Sequence, residues 1–131
     1  RQVVALRKEL AHAFAPASYG SAAPITWKAP NNTEPPNWNG RQLMVHYDDP
    51  AAAEVLVLIN LERTGSTDFT LPTGRTWQRR IDTQAYFDTA FITDNGADPR
   101  VSHNAFAAGD VVTTATYGVP ANSIVVLVTA P

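Results

Sequence analysis

The chain contains no cysteine, which excludes a disulfide framework, a cysteine-based zinc site and catalysis by a thiol. Positive charge is also scarce, because 10 lysines and arginines stand against 12 aspartates and glutamates. Binding to nucleic acid or to anionic lipid depends on clustered lysine and arginine, so we expect neither as a partner. The apolar runs have the length of strands and fall far short of the roughly 20 residues that a membrane-spanning helix needs.

The apolar residues that are present are sufficient for one folded core. They make up 44% of the 131 residues, and charged residues make up 17%. A chain of this length buries roughly two-thirds of its unfolded surface when it folds, which supports one core but not two full domains. Because the sequence begins at Arg1 in the middle of a helical pattern, we also expect it to be part of a larger protein.

The first segment, residues 1–16, predicts one helix from Gln2 to Phe14. Four apolar residues recur at helical spacing and share one face: Val3, Leu6, Leu10 and Phe14. Pro16 ends the pattern because it has no amide hydrogen to donate. Burying each such side chain is worth roughly 1.5–3 kcal/mol, so we expect the apolar face to be covered. Either the rest of the chain or self-association through this helix would cover it.

The remaining residues, 17–131, predict an all-β domain. Their short apolar runs are rich in Val, Ile, Thr and aromatic residues and are bounded by Gly, Pro, Asn or Asp, which is typical of strands. Eight strands are predicted: Ile25–Lys28, Gln42–Tyr47, Glu54–Asn60, Thr67–Leu71, Thr76–Asp82, Tyr86–Phe91, Val111–Tyr117 and Ser123–Thr129. Their spacing favours an antiparallel, Greek-key-like β-sandwich of about seven or eight strands and leaves no room for crossover helices.

Two of these strands are expected at the centre of a sheet. Val55–Ile59 and Ile124–Val128 are uninterrupted apolar runs, which is typical of strands covered on both faces. Thr67–Leu71 alternates between apolar and polar residues and should therefore have one exposed face. The segments Ala29–Gly40 and Asp94–Asp110 contain proline and glycine without periodicity and predict loops.

The acidic residues do not form a recognisable catalytic pair. Asp48 and Asp49 precede Pro50 and are expected to cap a turn between two strands. Asp82 ends a predicted strand, where an aspartate usually bonds the following backbone. The segment Asp94–Asp98 lacks the alternating oxygen ligands and the distant glutamate of an EF-hand, so a polar turn is expected there rather than a calcium site.

The histidines and the glycine pattern provide no catalytic set either. His12, His46 and His103 are dispersed, and none of them forms a pair with metal-ligand spacing. His46 is expected to be an ordinary strand residue with a backbone or water partner. There is no Gly-x-Ser-x-Gly motif and no glycine-rich phosphate loop. We therefore predict no catalytic residue, no metal site and no cofactor in this chain.

The aromatic residues are the remaining candidates for binding. Trp38 lies in the proline-rich segment between Asn37 and Asn39, with Trp27 in the preceding strand and Tyr47 in the following one. An exposed indole among amide side chains can stack on a sugar while the amides bond its hydroxyl groups. The alternative is that Trp38 folds back over one end of the sandwich. Another tryptophan, Trp77, lies within a strand and is expected in the core.

The order of several motifs resembles the C-terminal part of bacterial isoamylases, which are debranching enzymes of the α-amylase clan. The motifs that carry the resemblance are Val3–Lys8 (VVALRK), Ile25–Trp27, Trp38–Asn39, Val57–Asn60 (VLIN), Phe69–Pro72 (FTLP), Trp77–Thr83 (WQRRIDT) and Ala121–Leu127 (ANSIVVL). Together they span nearly the whole chain, and related glycogen-debranching enzymes share several of them. The segment Asp94–Asp110 departs from the pattern.

The resemblance implies a non-catalytic role. In that family the nucleophilic aspartate, the acid/base glutamate and a third aspartate lie in a barrel upstream of the final barrel helix, which Gln2–Phe14 resembles. The chain would then be the C-terminal β-sandwich of a starch- or glycogen-debranching glycoside hydrolase, with the catalytic barrel as its partner. Such an enzyme could act in the bacterial cytoplasm or after export. The alternative function is a glucan-binding module with α-glucan as its ligand; a free-standing hydrolase lacks its nucleophile and base.

Overall fold

A computed structural model describes residues 2–14, 25–48, 53–83 and 110–129, and all structural statements below refer to them. Two short helices precede eight strands. The helices are α1 (Gln2–Glu9) and α2 (Ala11–Phe14). The strands are β1 (Ile25–Lys28), β2 (Gln42–Tyr47), β3 (Val55–Asn60), β4 (Ser66–Thr70), β5 (Trp77–Asp82), β6 (Asp110–Val112), β7 (Thr116–Pro120) and β8 (Ser123–Thr129).

The strands form two antiparallel sheets, as predicted for a β-sandwich. The larger sheet has the order β1-β2-β3-β8-β5-β6, and the smaller one pairs β4 with β7. The two uninterrupted apolar runs, β3 and β8, lie side by side at the centre of the larger sheet, with Val57 opposite Val126. Both central positions were predicted from the absence of polar alternation in these strands.

The inner face of the larger sheet packs against the smaller sheet to form the main core. Residues that oppose one another across the ladder, such as Met44, Leu58 and Val125, point to this face. The core comprises Met44, Leu56, Leu58, Phe69, Leu71, Trp77, Val119, Val125 and Leu127. Trp77 is 2% exposed, which confirms its predicted place in the core.

The outer face of the larger sheet is covered in part by the helices. Leu6, Leu10 and Ala13 pack on it, against sheet residues that include Val55 and Val126. Outside this apolar contact, the two terminal guanidinium nitrogens of Arg80 donate to the carboxylate of Glu9, at 2.9 and 2.8 Å. The apolar helix residues are thus covered by the chain's own sheet, which is one of the two outcomes expected from the sequence.

The helical prediction is wrong in two details. The segment forms two helices instead of one, because the chain turns at Leu10, whose amide still bonds the carbonyl of Leu6 at 2.9 Å. The turn places Ala13 in the core and leaves Phe14 half-buried. Val3, which was expected on the covered face, is 65% exposed, because it borders an open apolar cavity with Leu6 and Val57 and does not pack directly on the sheet.

One predicted strand proves to be two. Val111–Tyr117 was expected to be continuous, but β6 pairs with β5 in the larger sheet and β7 pairs with β4 in the smaller one. The chain passes between the sheets at residues 113–115, because the second layer can form only if a strand leaves the first. The predicted strand Tyr86–Phe91 and nearly all of the predicted loop Asp94–Asp110 lie outside the described residues. Within the described residues, the helices are too short and too polar to span a membrane.

Candidate functional site

The loop between β1 and β2, residues 29–41, holds the exposed aromatic residue that the sequence singled out. Its first half is fixed by backbone hydrogen bonds, from the amide of Ala29 to the carbonyl of Thr33 (2.8 Å) and from that of Asn32 to the carbonyl of Ala29 (2.9 Å). Farther along, Pro36 is buried and anchors the loop against the domain. The loop was predicted from its prolines, and its hydrogen bonds give it one defined conformation.

Trp38 and Trp27 form an exposed aromatic pair, which we call the tryptophan pair. Trp38 is 67% exposed and Trp27, on β1, is 45% exposed. Their ring centroids lie 6.1 Å apart and the ring planes are tilted by 49°. This exposure disagrees with the alternative in which Trp38 folds back over the end of the sandwich. Two large apolar rings held next to each other in solvent are suited to stacking on a ligand.

The amide residues beside Trp38 shape the loop as well as its surface. The side-chain Oδ1 of Asn37 accepts a hydrogen bond from the backbone amide of Asn39 at 3.1 Å. The backbone carbonyl of Asn37 accepts another from the amide of Gly40 at 2.9 Å. This local turn fixes the backbone on both sides of Trp38. Asn37 and Asn39 are exposed and flank Trp38 in the loop.

Tyr47, the remaining residue of the predicted binding set, is placed differently. Its ring packs edge-on against Phe14, with 5.1 Å between the centroids, where the helices cover the sheet. Trp27 pairs with Val45 in the β1–β2 ladder, whereas Tyr47 pairs with Ile25 at the end of that ladder. The structure therefore brings Trp27 and Trp38 together and assigns Tyr47 to the contact between helix and sheet.

A second cluster of functional groups lies where β2 ends and β3 begins, and we call it the histidine–carboxylate cluster. His46 Nε2 lies 3.0 Å from Glu54 Oε2, and both residues are buried, at 4% and 6% exposure. Arg75 Nε donates to Glu54 Oε1. The exposed carboxylate of Asp48 completes a group in which one ligand atom each from His46, Asp48 and Glu54 lies within 4.8 Å of the others.

Glu54 is held as a carboxylate in this cluster. Burial alone would raise its pKa, but hydrogen bonds from Arg75 and His46 outweigh burial and lower the pKa below its usual value. A general acid for glycoside hydrolysis needs the opposite shift, because it must stay protonated near neutral pH. The pKa of Glu54 is therefore shifted in the direction opposite to that of a general acid.

His46 lies in strand β2 as predicted, but its partner is a carboxylate and not the backbone or water. Glu54 immediately precedes Val55, which pairs with Tyr47. The residue pattern could not show which residues of β2 and β3 pair with each other.

Sequence comparison matches the chain to no protein-family profile and to no curated protein.

Proposed function

We propose that the chain is the non-catalytic C-terminal β-sandwich of a starch- or glycogen-debranching enzyme, where it covers and stabilises the catalytic barrel. The proposal rests on the motif order described above. The antiparallel sandwich, preceded by a helical segment, has the architecture that this role requires.

The observation that carries the proposal is that α1 has apolar residues on two sides. Leu6 packs on the sheet and is 7% exposed. Val4, which is 57% exposed, lies on the opposite side of the helix, and Val3, which is 65% exposed, borders the sheet with Leu6. Beside the helix, an apolar cavity of about 330 Å³ extends over Val57 and Val126 on the outer face of the sheet. A helix placed between two folded bodies needs an apolar contact with each of them. In the proposed enzyme the second body is the barrel.

The test is a substitution on the outward side of α1 in the full-length polypeptide. Val4→Asp should lower the melting temperature of the catalytic barrel, because it places a charge in the proposed contact. The isolated chain should be unaffected, since Val4 is exposed there. Leu61→Asp is the matched control, because Leu61 is also an exposed apolar residue, at 55%. It follows the last residue of β3, whereas Val55, which packs with the helices, is the first. Equal effects of the two substitutions on the full-length polypeptide would contradict the proposal.

A second candidate function, α-glucan binding, is favoured by the tryptophan pair. Its planes are tilted by 49°, so the two rings form a bent surface and not a flat one. The α-1,4-linked glucan chain curves, whereas a β-1,4-linked chain is extended and flat. A bent aromatic surface can therefore follow successive residues of an α-glucan, and Asn37 and Asn39 are at hand for its hydroxyl groups.

Titration with a linear maltodextrin tests this candidate, with a cello-oligosaccharide of the same length as the control ligand. Calorimetry should detect binding of the maltodextrin but not of the cello-oligosaccharide. Trp38→Ala and Trp27→Ala should each weaken binding of the maltodextrin several-fold. Val111→Ala is a matched control variant, because Val111 is 48% exposed on the edge strand β6, remote in the sheet order from β1. Absence of binding by the unmodified chain would end the second candidate and leave the first one intact.

A further inference from the structure

The histidine–carboxylate cluster is built by strand register. His46 and Asp48 are two residues apart at the end of β2, and Tyr47 between them pairs with Val55. Asp48 directly follows β2 and Glu54 directly precedes β3, and one ligand atom of each lies within 4.8 Å of one on His46. The backbone of Glu54 is fixed by β8, because its amide donates to Thr129 Oγ1 (2.9 Å) and its carbonyl accepts from the amide of Thr129 (3.0 Å).

The three donor atoms lie close enough together for one ion to bind all of them after a small movement of the side chains. Two ligands of a tetrahedral zinc ion, each about 2.0–2.1 Å from the metal, lie about 3.4 Å from each other. His46 Nε2 and Glu54 Oε2 are 3.0 Å apart, close to that value. The carboxylate of Asp48 lies within 4.8 Å of both and is exposed, so rotation of its side chain can bring it into range.

The charges and the surrounding groups also suit a cation. Arg75 bonds Glu54 Oε1 and fixes the orientation of the carboxylate, so that Oε2 faces His46 Nε2 and the two atoms can share an ion. The carboxylates of Asp48 and Glu54 have oxygen atoms within 4.8 Å of each other, and like charges this close repel each other. Thr26 opposes His46 in β1, and its Oγ1 is buried with no hydrogen-bond partner in the described part of the chain. A metal-bound water would supply that partner.

We propose that the cluster is a binding site for a divalent transition metal of the zinc class, with His46 Nε2, Glu54 Oε2 and a carboxylate oxygen of Asp48 as ligands. A mixed nitrogen and oxygen set suits zinc and its neighbours, whereas magnesium and calcium take oxygen ligands. When the ion binds, it takes the position on Nε2 otherwise available to a proton, and the Nδ1 atom carries the ring hydrogen. The ion stabilises the junction between β2 and β3, and Arg75 is a positioning residue.

The test is titration of the chelator-treated, untagged chain with zinc sulfate by calorimetry and with cobalt chloride by visible absorption. We expect one equivalent of zinc to bind, and cobalt to give the absorption bands of a four-coordinate site. Asp48→Asn should weaken zinc binding at least tenfold, because a ligand is lost. Asp48 is exposed, so this variant should keep the fold, which far-UV circular dichroism checks. His46→Gln should abolish the cobalt bands.

Asp68→Asn is the control, because Asp68 is an exposed carboxylate on β4, in the other sheet. It should bind zinc as the unmodified chain does. Zinc should also raise the melting temperature of the unmodified chain by several degrees and that of Asp48→Asn by much less, since a ligand specific to the folded state stabilises it. Failure of the unmodified chain to bind zinc would overturn the proposal. Equal affinities of the unmodified chain and Asp48→Asn would overturn it too.

Discussion

The replacement of Trp77 by alanine is the most direct probe of the sandwich core. The indole is 2% exposed, lies between the two sheets, and donates from Nε1 to the carbonyl of Pro72 at 3.3 Å. It also contacts His46 edge-on, with 6.2 Å between the ring centroids. The substitution therefore removes core volume, a hydrogen bond and an aromatic contact together.

The magnitude follows from the buried area. A buried tryptophan removes about 150–250 Å² from water, which at about 25 cal/mol per Å² corresponds to about 4–6 kcal/mol as an upper bound. Replacement of a buried phenylalanine or tryptophan by alanine typically lowers the free energy of unfolding by about 3–5 kcal/mol. Domains are stable by only about 5–15 kcal/mol, so Trp77→Ala should remove a large share of the total.

Urea denaturation followed by circular dichroism measures this effect, with Trp38→Ala as a control that makes the same chemical change. Trp38 is 67% exposed, so its replacement should change the free energy of unfolding by no more than about 0.5 kcal/mol. The slope of the free energy against urea should stay constant, which shows that the denatured states are comparable. If Trp77→Ala and Trp38→Ala shift the midpoint equally, the assignment of Trp77 to the core is wrong.

Three further predictions concern other parts of the fold. Leu10→Ala should lower the free energy of unfolding by about 2–5 kcal/mol, because Leu10 is 4% exposed where the helices pack on the sheet. Val4→Ala is the control at an exposed position, and equal denaturation midpoints of the two variants would contradict this prediction. Asn60→Ala should cost about 1–3 kcal/mol in the same assay, because fully buried Asn60 donates to the carbonyl of Val119 at 2.8 Å across the two sheets. Folding lowers the pKa of Glu54, so the ionised side chain stabilises the folded state. This contribution to the free energy of unfolding is complete above the unfolded-state pKa of about 4.3 and is lost as the pH falls through the folded-state pKa. The difference in the free energy of unfolding between the unmodified chain and Glu54→Gln should therefore become smaller from pH 7 to pH 3. A difference that does not change with pH would refute the reasoning.

The sequence predicted those features of the fold that follow from local pattern. The unbroken apolar runs of β3 and β8 identified the central strands, and the prolines of residues 29–40 identified the loop that exposes Trp38. Both follow from rules that act over a few residues. The exposure of Trp38 could not be derived in the same way, because whether a loop side chain points outward depends on how the loop packs.

The errors arise where distant parts of the chain decide the structure. The break at Leu10 follows from docking of the helical segment on the sheet, and the division of β6 from β7 follows from closure of the second layer. The contact between His46 and Glu54 depends on the hairpin register that brings residues eight apart in sequence together. Residue types and spacing indicate which groups are available, but the register decides which of them meet.

Hydrolysis of the α-1,6 branch points of amylopectin tests the central claim most directly. The full-length polypeptide and the isolated chain are assayed side by side for release of linear chains and reducing ends. Our account predicts that the full-length polypeptide debranches amylopectin and that the isolated chain releases nothing. Debranching by the isolated chain that is abolished by Glu54→Gln or Asp48→Asn would contradict the account, and so would a full-length polypeptide with no activity on α-glucan.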